Sequence, residues 1–142
     1  MEYSIQSGRM IITDTSHEIH GDNQVILDKV EIGNWYGYTQ PYETGSLFTT
    51  YSDNCPDEMY THDVCRVGMI SGQMGIFDYT YFRDAIYNDD EQSCICSKIA
   101  TLCNINFGSV LTSVFSDGIF DTRVWRSDVG SVIAIYIYFE EN

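Results

Sequence analysis

Positive charge is what this chain has least of. Seven Lys and Arg stand against 21 Asp and Glu, a net charge of −14 over 142 residues. DNA and RNA are gripped through clustered cations, so this balance speaks against direct nucleic-acid binding. An anionic membrane surface is disfavoured on the same ground. What remains is a basic protein partner, a metal cation, a small neutral or nucleotide-like ligand, or charge that serves solubility alone.

Long apolar runs are missing too. No stretch approaches the ~18 residues of a membrane-spanning helix. Glu2, Gln6 and Arg9 interrupt any signal-peptide core in residues 1–12. The cysteines, Cys55, Cys65, Cys94, Cys96 and Cys103, are odd in number, so they cannot all pair within one chain. Reduced thiols and a cytoplasmic location are expected (the host cytoplasm, for a viral protein). No repeat, linker or low-complexity tract divides the sequence, which reads as one domain over 1–142.

Apolar and aromatic residues, by contrast, are plentiful: 44% and 14% of the chain, with eleven Tyr and seven Phe. That composition folds around a core. Segments rich in β-branched and aromatic residues recur at 9–13, 25–30, 34–39, 46–51 and 64–70, separated by short polar breaks. The pattern predicts a mostly β (α+β) protein, an antiparallel sandwich with one or two short helices. Segments 108–116, 119–126 and 130–139 read as a three-stranded C-terminal meander, with Asp117-Gly118 as a hairpin turn. Ile133, Ile135, Ile137 and Phe139 alternate with Val132, Ala134, Tyr136 and Tyr138, so both faces are apolar and the strand belongs in mid-sheet or between layers. Asp78 is placed to cap a helix over 79–87. A second helix, from about 92 to 103, carries Ile95, Ile99, Leu102 and Cys103 as one stripe.

Sequence signatures for chemistry are weak. Asp14, His17, Glu18, His20 and Asp22 form the densest ligand cluster, but the two His are three apart where the helical zinc motif needs four. Cys94-x-Cys96 lacks the CxxC spacing that turns two sulfurs toward one ion, and thiols in a helical stripe are read as core. Residues 69–75 hold a Ser and two Gly, yet match neither a nucleophile elbow nor a phosphate loop. They read as a turn between strand and helix. If Arg123 shares a strand face with Ile119, Asp121 and Trp125, it forms an Arg–Trp platform for a planar ligand; a salt bridge with Asp121 or a nearby acid is the plainer expectation. The carboxylates are expected outside the core.

Three stretches together are similar to the DUF4241-like family of uncharacterised bacterial and phage proteins. They are Ser7-Gly8 through Asp14, Met69-Ile70-Ser71-Gly72-Gln73-Met74-Gly75-Ile76-Phe77-Asp78, and Ser116-Asp117-Gly118-Ile119-Phe120 with the strand ending at Phe139. The resemblance implies a β-rich architecture and no activity that can be transferred.

Composition, local chemistry and resemblance together single out Asp14, Ser71, Gln73, Asp78, Asp117, Arg123 and Trp125 as a ligand-binding set. No catalytic residue and no cofactor is assigned. The expected function is a small acidic binding protein, an inhibitor or sequestering protein, acting on a basic protein or a small nucleotide-like ligand; homo-oligomers stay open. The alternatives are a metal-dependent hydrolase using Asp14, His17 and His20, and a structural or virion component.

Overall fold

The computed structural model describes residues 2–15, 24–40, 46–52, 62–69, 73–87, 95–112 and 118–139. Ten strands and two helices follow in the order β1 (Glu2–Ile5), β2 (Met10–Asp14), β3 (Val25–Leu27), β4 (Gly33–Gln40), β5 (Ser46–Tyr51), β6 (His62–Met69), β7 (Gln73–Asp78), α1 (Tyr79–Ile86), α2 (Ile95–Asn104), β8 (Gly108–Thr112), β9 (Gly118–Arg126) and β10 (Val132–Phe139). They form a six-stranded sheet, β1-β4-β5-β10-β9-β6, and a four-stranded sheet, β3-β2-β7-β8. Every strand pairing in both sheets is antiparallel. The mostly β, sandwich-like α+β architecture expected from the sequence is what the chain adopts.

Side-chain alternation builds three layers. Met10 and Ile12 of β2 and Met74 and Ile76 of β7 point one way, into a core shared with Tyr3, Trp35, Leu47, Phe120, Val124, Ile135 and Ile137 of the larger sheet. Ile11 and Phe77 point the other way, into a second core with Phe82 and Ile86 of α1 and Ile99 and Leu102 of α2. The four-stranded sheet is therefore covered on both faces, which is why every residue of β2 is buried. Trp35 anchors the inter-sheet core: it stacks on Tyr3 at 6.4 Å and donates its indole N–H to the Glu31 carbonyl at 3.0 Å. The Tyr3 hydroxyl is 2.9 Å from Thr49 Oγ1, satisfying two buried polar groups at once.

Three expectations are corrected. The three-stranded meander does not form: β9 and β10 pair as a hairpin, but β8 pairs with β7 in the other sheet. The strands on either side of Asp117-Gly118 are thus not partners; Asp117 itself lies outside the described residues. Second, Gln73–Asp78 is a strand, so the 73–75 part of the segment read as a turn is not one, while 70–72 lie outside the described residues. Gly75 is needed there because the Phe77 ring lies over it, and over Gly108 across the β7–β8 pair, where an added Cβ would collide with the ring. Third, the carboxylates do not all stay outside: Asp14, Asp78 and Asp121 are buried.

Where the sequence pattern is strong, it holds. β10 lies between β5 and β9, as its two apolar faces require. Its register shifts between Val132 and Ala134, a bulge that leaves Ile133 unmatched. The bulge lets both Val132 and Ile135 enter the core despite their odd spacing. Helix α1 begins after Asp78, whose carboxylate accepts from the Thr80 and Tyr81 N–H groups. Among the described residues, no helix is long and apolar enough to cross a membrane.

Candidate functional site

The six-stranded sheet has one face on the core and one turned away from it, and none of the other described elements forms a layer over the second. Parity fixes what that outer face carries. On β9 Phe120 and Val124 point inward, so Ile119, Asp121, Arg123 and Trp125 point outward. On β10, past the bulge, Ala134, Tyr136 and Tyr138 point outward. On β5 it is Ser46, Phe48 and Thr50, and on β4 Asn34, Tyr36 and Tyr38. Cross-strand register then aligns Tyr38 with Phe48, Phe48 with Tyr136, and Tyr136 with Arg123. The result is one row of three aromatic side chains and a guanidinium running across four strands.

The row is a packed surface. Phe48 meets Tyr136 at 6.2 Å with the rings inclined by 55°. It meets Trp125 edge-on at 5.9 Å. Trp125 belongs to the adjacent row, opposite Ala134, itself opposite Thr50; the small neighbours leave room for the indole. Tyr136 stacks on Tyr138 at 5.3 Å. Tyr38, Ser46, Phe48 and Tyr136 line an open trough of about 240 Å³. Tyr38 stands 56% exposed at its edge.

Among the described residues, charge on this face is sparse. Arg66 of β6 lies opposite Asp121, with Nε 3.5 Å from Oδ1. Asp121 is only 8% exposed, and its Oδ1 makes no hydrogen bond, so the contact is an ion pair alone. Arg123 does not take Asp121, as the plainer expectation had it. Its guanidinium sits 5.6 Å from the centre of the Tyr138 ring. The ring that Arg123 faces is thus Tyr138 and not Trp125.

The ligand-binding set read from the sequence is split by the fold. Arg123 and Trp125 reach the outer face. Asp14, Gln73 and Asp78 belong to the four-stranded sheet, on the far side of the inter-sheet core. Asp14 is buried at the end of β2, opposite Met74. The Gln73 carbonyl of its side chain accepts from Thr15 Oγ1 at 3.3 Å. Asp78 is fully committed: Oδ2 accepts from the backbone N–H groups of Gln6 (2.7 Å) and Ser7 (2.8 Å), and Oδ1 from Ser7 Oγ (2.7 Å), Thr80 N (3.1 Å) and Tyr81 N (3.3 Å). It is a structural clamp. Ser71, Asp117, His17 and His20 lie outside the described residues.

Tyr38, Phe48, Tyr136 and Tyr138 are the surface residues that sequence reasoning passed over as ordinary strand aromatics. The signal that finds them is outward parity on four adjacent strands, which needs the register.

Among the described residues, no three His, Cys, Asp or Glu side chains stand where they could share a metal ion. Cys103 is a free thiol. Burial against the helix layer pushes the Cys103 thiol above its ordinary pKa, which lowers its thiolate fraction. No protein-family model, curated protein or solved structure matches the chain.

Proposed function

We propose that this chain is a small, non-catalytic binding protein, an inhibitor or sequestering protein of the cytoplasm, whose working surface is the outer face of the six-stranded sheet and whose target is a basic protein. One observation carries the reading: a molecule of net charge −14 presents a sheet face centred on Tyr38, Phe48, Tyr136 and Trp125, with few described charges. An aromatic centre depleted of charge within a charged surround is the anatomy of a protein interface, and Tyr, Trp and Arg dominate its energetics. The net charge of −14 supplies long-range attraction for a basic target. It also opposes pairing of this face with a second copy, since each copy carries the same negative charge.

Size ranks the second reading, a small nucleotide-like ligand held between the rings and Arg123, behind the first. The trough, about 240 Å³ and open, is smaller than the roughly 300–1,000 Å³ of ordinary small-molecule sites. The resemblance to DUF4241-like proteins brings no activity with it, so the proposal rests on this face.

Comparative affinity capture tests it, using the full chain and its Phe48→Ala and Tyr136→Ala variants as bait in cell extracts. The expected result is a basic protein retained by the parent chain, lost from both variants, and released as salt is raised from roughly 50 to 500 mM, which shortens the Debye length several-fold. Retention that ignores both the substitutions and the salt would sink the proposal.

A further inference from the structure

We propose that the trough between Tyr38, Phe48 and Tyr136 seats a cationic side chain, arginine or lysine, of the basic partner. This rests on the reading of the outer face as the interface and names what fills its centre.

Four observations converge on a cation. The volume, about 240 Å³, falls short of a typical small-molecule pocket and suits a single side chain. The lining is mostly aromatic, and Phe48 and Tyr136 are inclined by 55° and not stacked flat, so a side chain entering between them can meet electron-rich ring faces. Among the described residues the lining also includes Ser46, whose hydroxyl is an acceptor for an N–H donor. Among the described lining residues there is no cation. The nearest on the same row, Arg123, is drawn onto Tyr138, and Arg66 is ion-paired with Asp121.

The chain already makes this contact with its own arginines. Arg9 lies 4.3 Å from the centre of the Tyr79 ring, Arg83 5.9 Å from the same ring, and Arg123 5.6 Å from Tyr138. The net charge of −14 then selects a cation over an anion or an apolar knob as the incoming group, because it raises the local concentration of positively charged side chains around the molecule.

The experiment titrates the folded full chain with a short two-arginine peptide and with the same peptide carrying uncharged citrulline at both positions, following the ring resonances of Tyr38, Phe48 and Tyr136 by NMR. The arginine peptide should move those resonances and bind at least about fivefold tighter than the citrulline peptide. Tyr136→Phe, which keeps the ring, should bind within about twofold of the parent, and Tyr136→Leu and Phe48→Leu about fivefold more weakly. Diffuse attraction to the acidic surface would also favour arginine over citrulline, but would ignore the leucine substitutions; that outcome overturns the proposal. Should an uncharged aromatic peptide move the same resonances while the arginine peptide does not, the face is an interface and the cation is wrong. Should neither peptide touch the three rings, both readings fall together.

Discussion

Asp78 shows how much of a buried carboxylate can be consumed by structure alone. Its two oxygens accept five hydrogen bonds, every one from an N–H or O–H donor. The short-range half of this role was legible in the sequence: an Asp ahead of an apolar-periodic segment is a helix cap, and the cap forms. The other half joins residues 71 and 72 apart in the chain, and no local pattern encodes it. The distinction has a measurable consequence. Asn and Asp are ordinarily near-equal caps, but here either amide orientation would turn an NH₂ donor toward donors already in place. Asp78→Asn is therefore expected to destabilise the fold by about 2–3 kcal/mol, close to the effect of Asp78→Ala, as read by urea denaturation. An Asn variant within about 0.5 kcal/mol of the parent would show that the cap alone matters.

At the scale of elements, the pairings decide what the sequence could and could not reveal. Strand existence was legible at 25–30, 34–39 and 46–51 because β-branched and aromatic residues cluster there. The strand at β7 was not, because its Gly75 reads as a breaker when taken alone. The Phe77 ring occupies the space above Gly75 and Gly108 and stacks on Phe82 of α1 at 5.0 Å. Both glycines are thus packing residues that let a sheet aromatic lie flat beneath a helix. Gly108→Ala should displace that ring and cost about 1–3 kcal/mol, seen as a lowered thermal midpoint with the near-UV aromatic signal altered. The same logic explains the meander that failed to form. Asp117-Gly118 is a local hairpin signal, but β8 is tied to β7 by five register pairs, including Phe77 with Gly108, and the helices bridge the two strands.

For the molecule as a whole, the decisive division among the described residues is between the two cores and the sheet face over which no other described element forms a layer. Layering was legible from the all-apolar runs; the outer face was not, because outward parity acquires meaning only when four strands lie side by side. The interior also sets a pH limit. Burial pushes the Tyr3 phenol well above its ordinary pKa of about 10, and the Thr49 hydrogen bond offsets this only in part. Once pH passes about 10, an unfolded chain releases this proton while the folded chain retains it, so the unfolded state binds fewer protons and folding stability falls with rising pH. This group contributes a slope of up to about 1.4 kcal/mol per pH unit. Its contribution is fully present below pH ~10 and is lost above it. Denaturation curves across the alkaline range should steepen accordingly for the parent chain, and less for Tyr3→Phe, which has no proton to lose. Equal slopes for the two chains would place the alkaline sensitivity elsewhere.

The four-stranded sheet, covered on both sides, answers to two cores at once, so almost any change to β2 or β7 is felt by one or the other. The outer aromatics of the larger sheet answer to neither. Tyr38, Phe48 and Tyr136 could therefore be rewritten by substitution while the framework beneath kept its shape, so the outer row and the cores can change independently of one another.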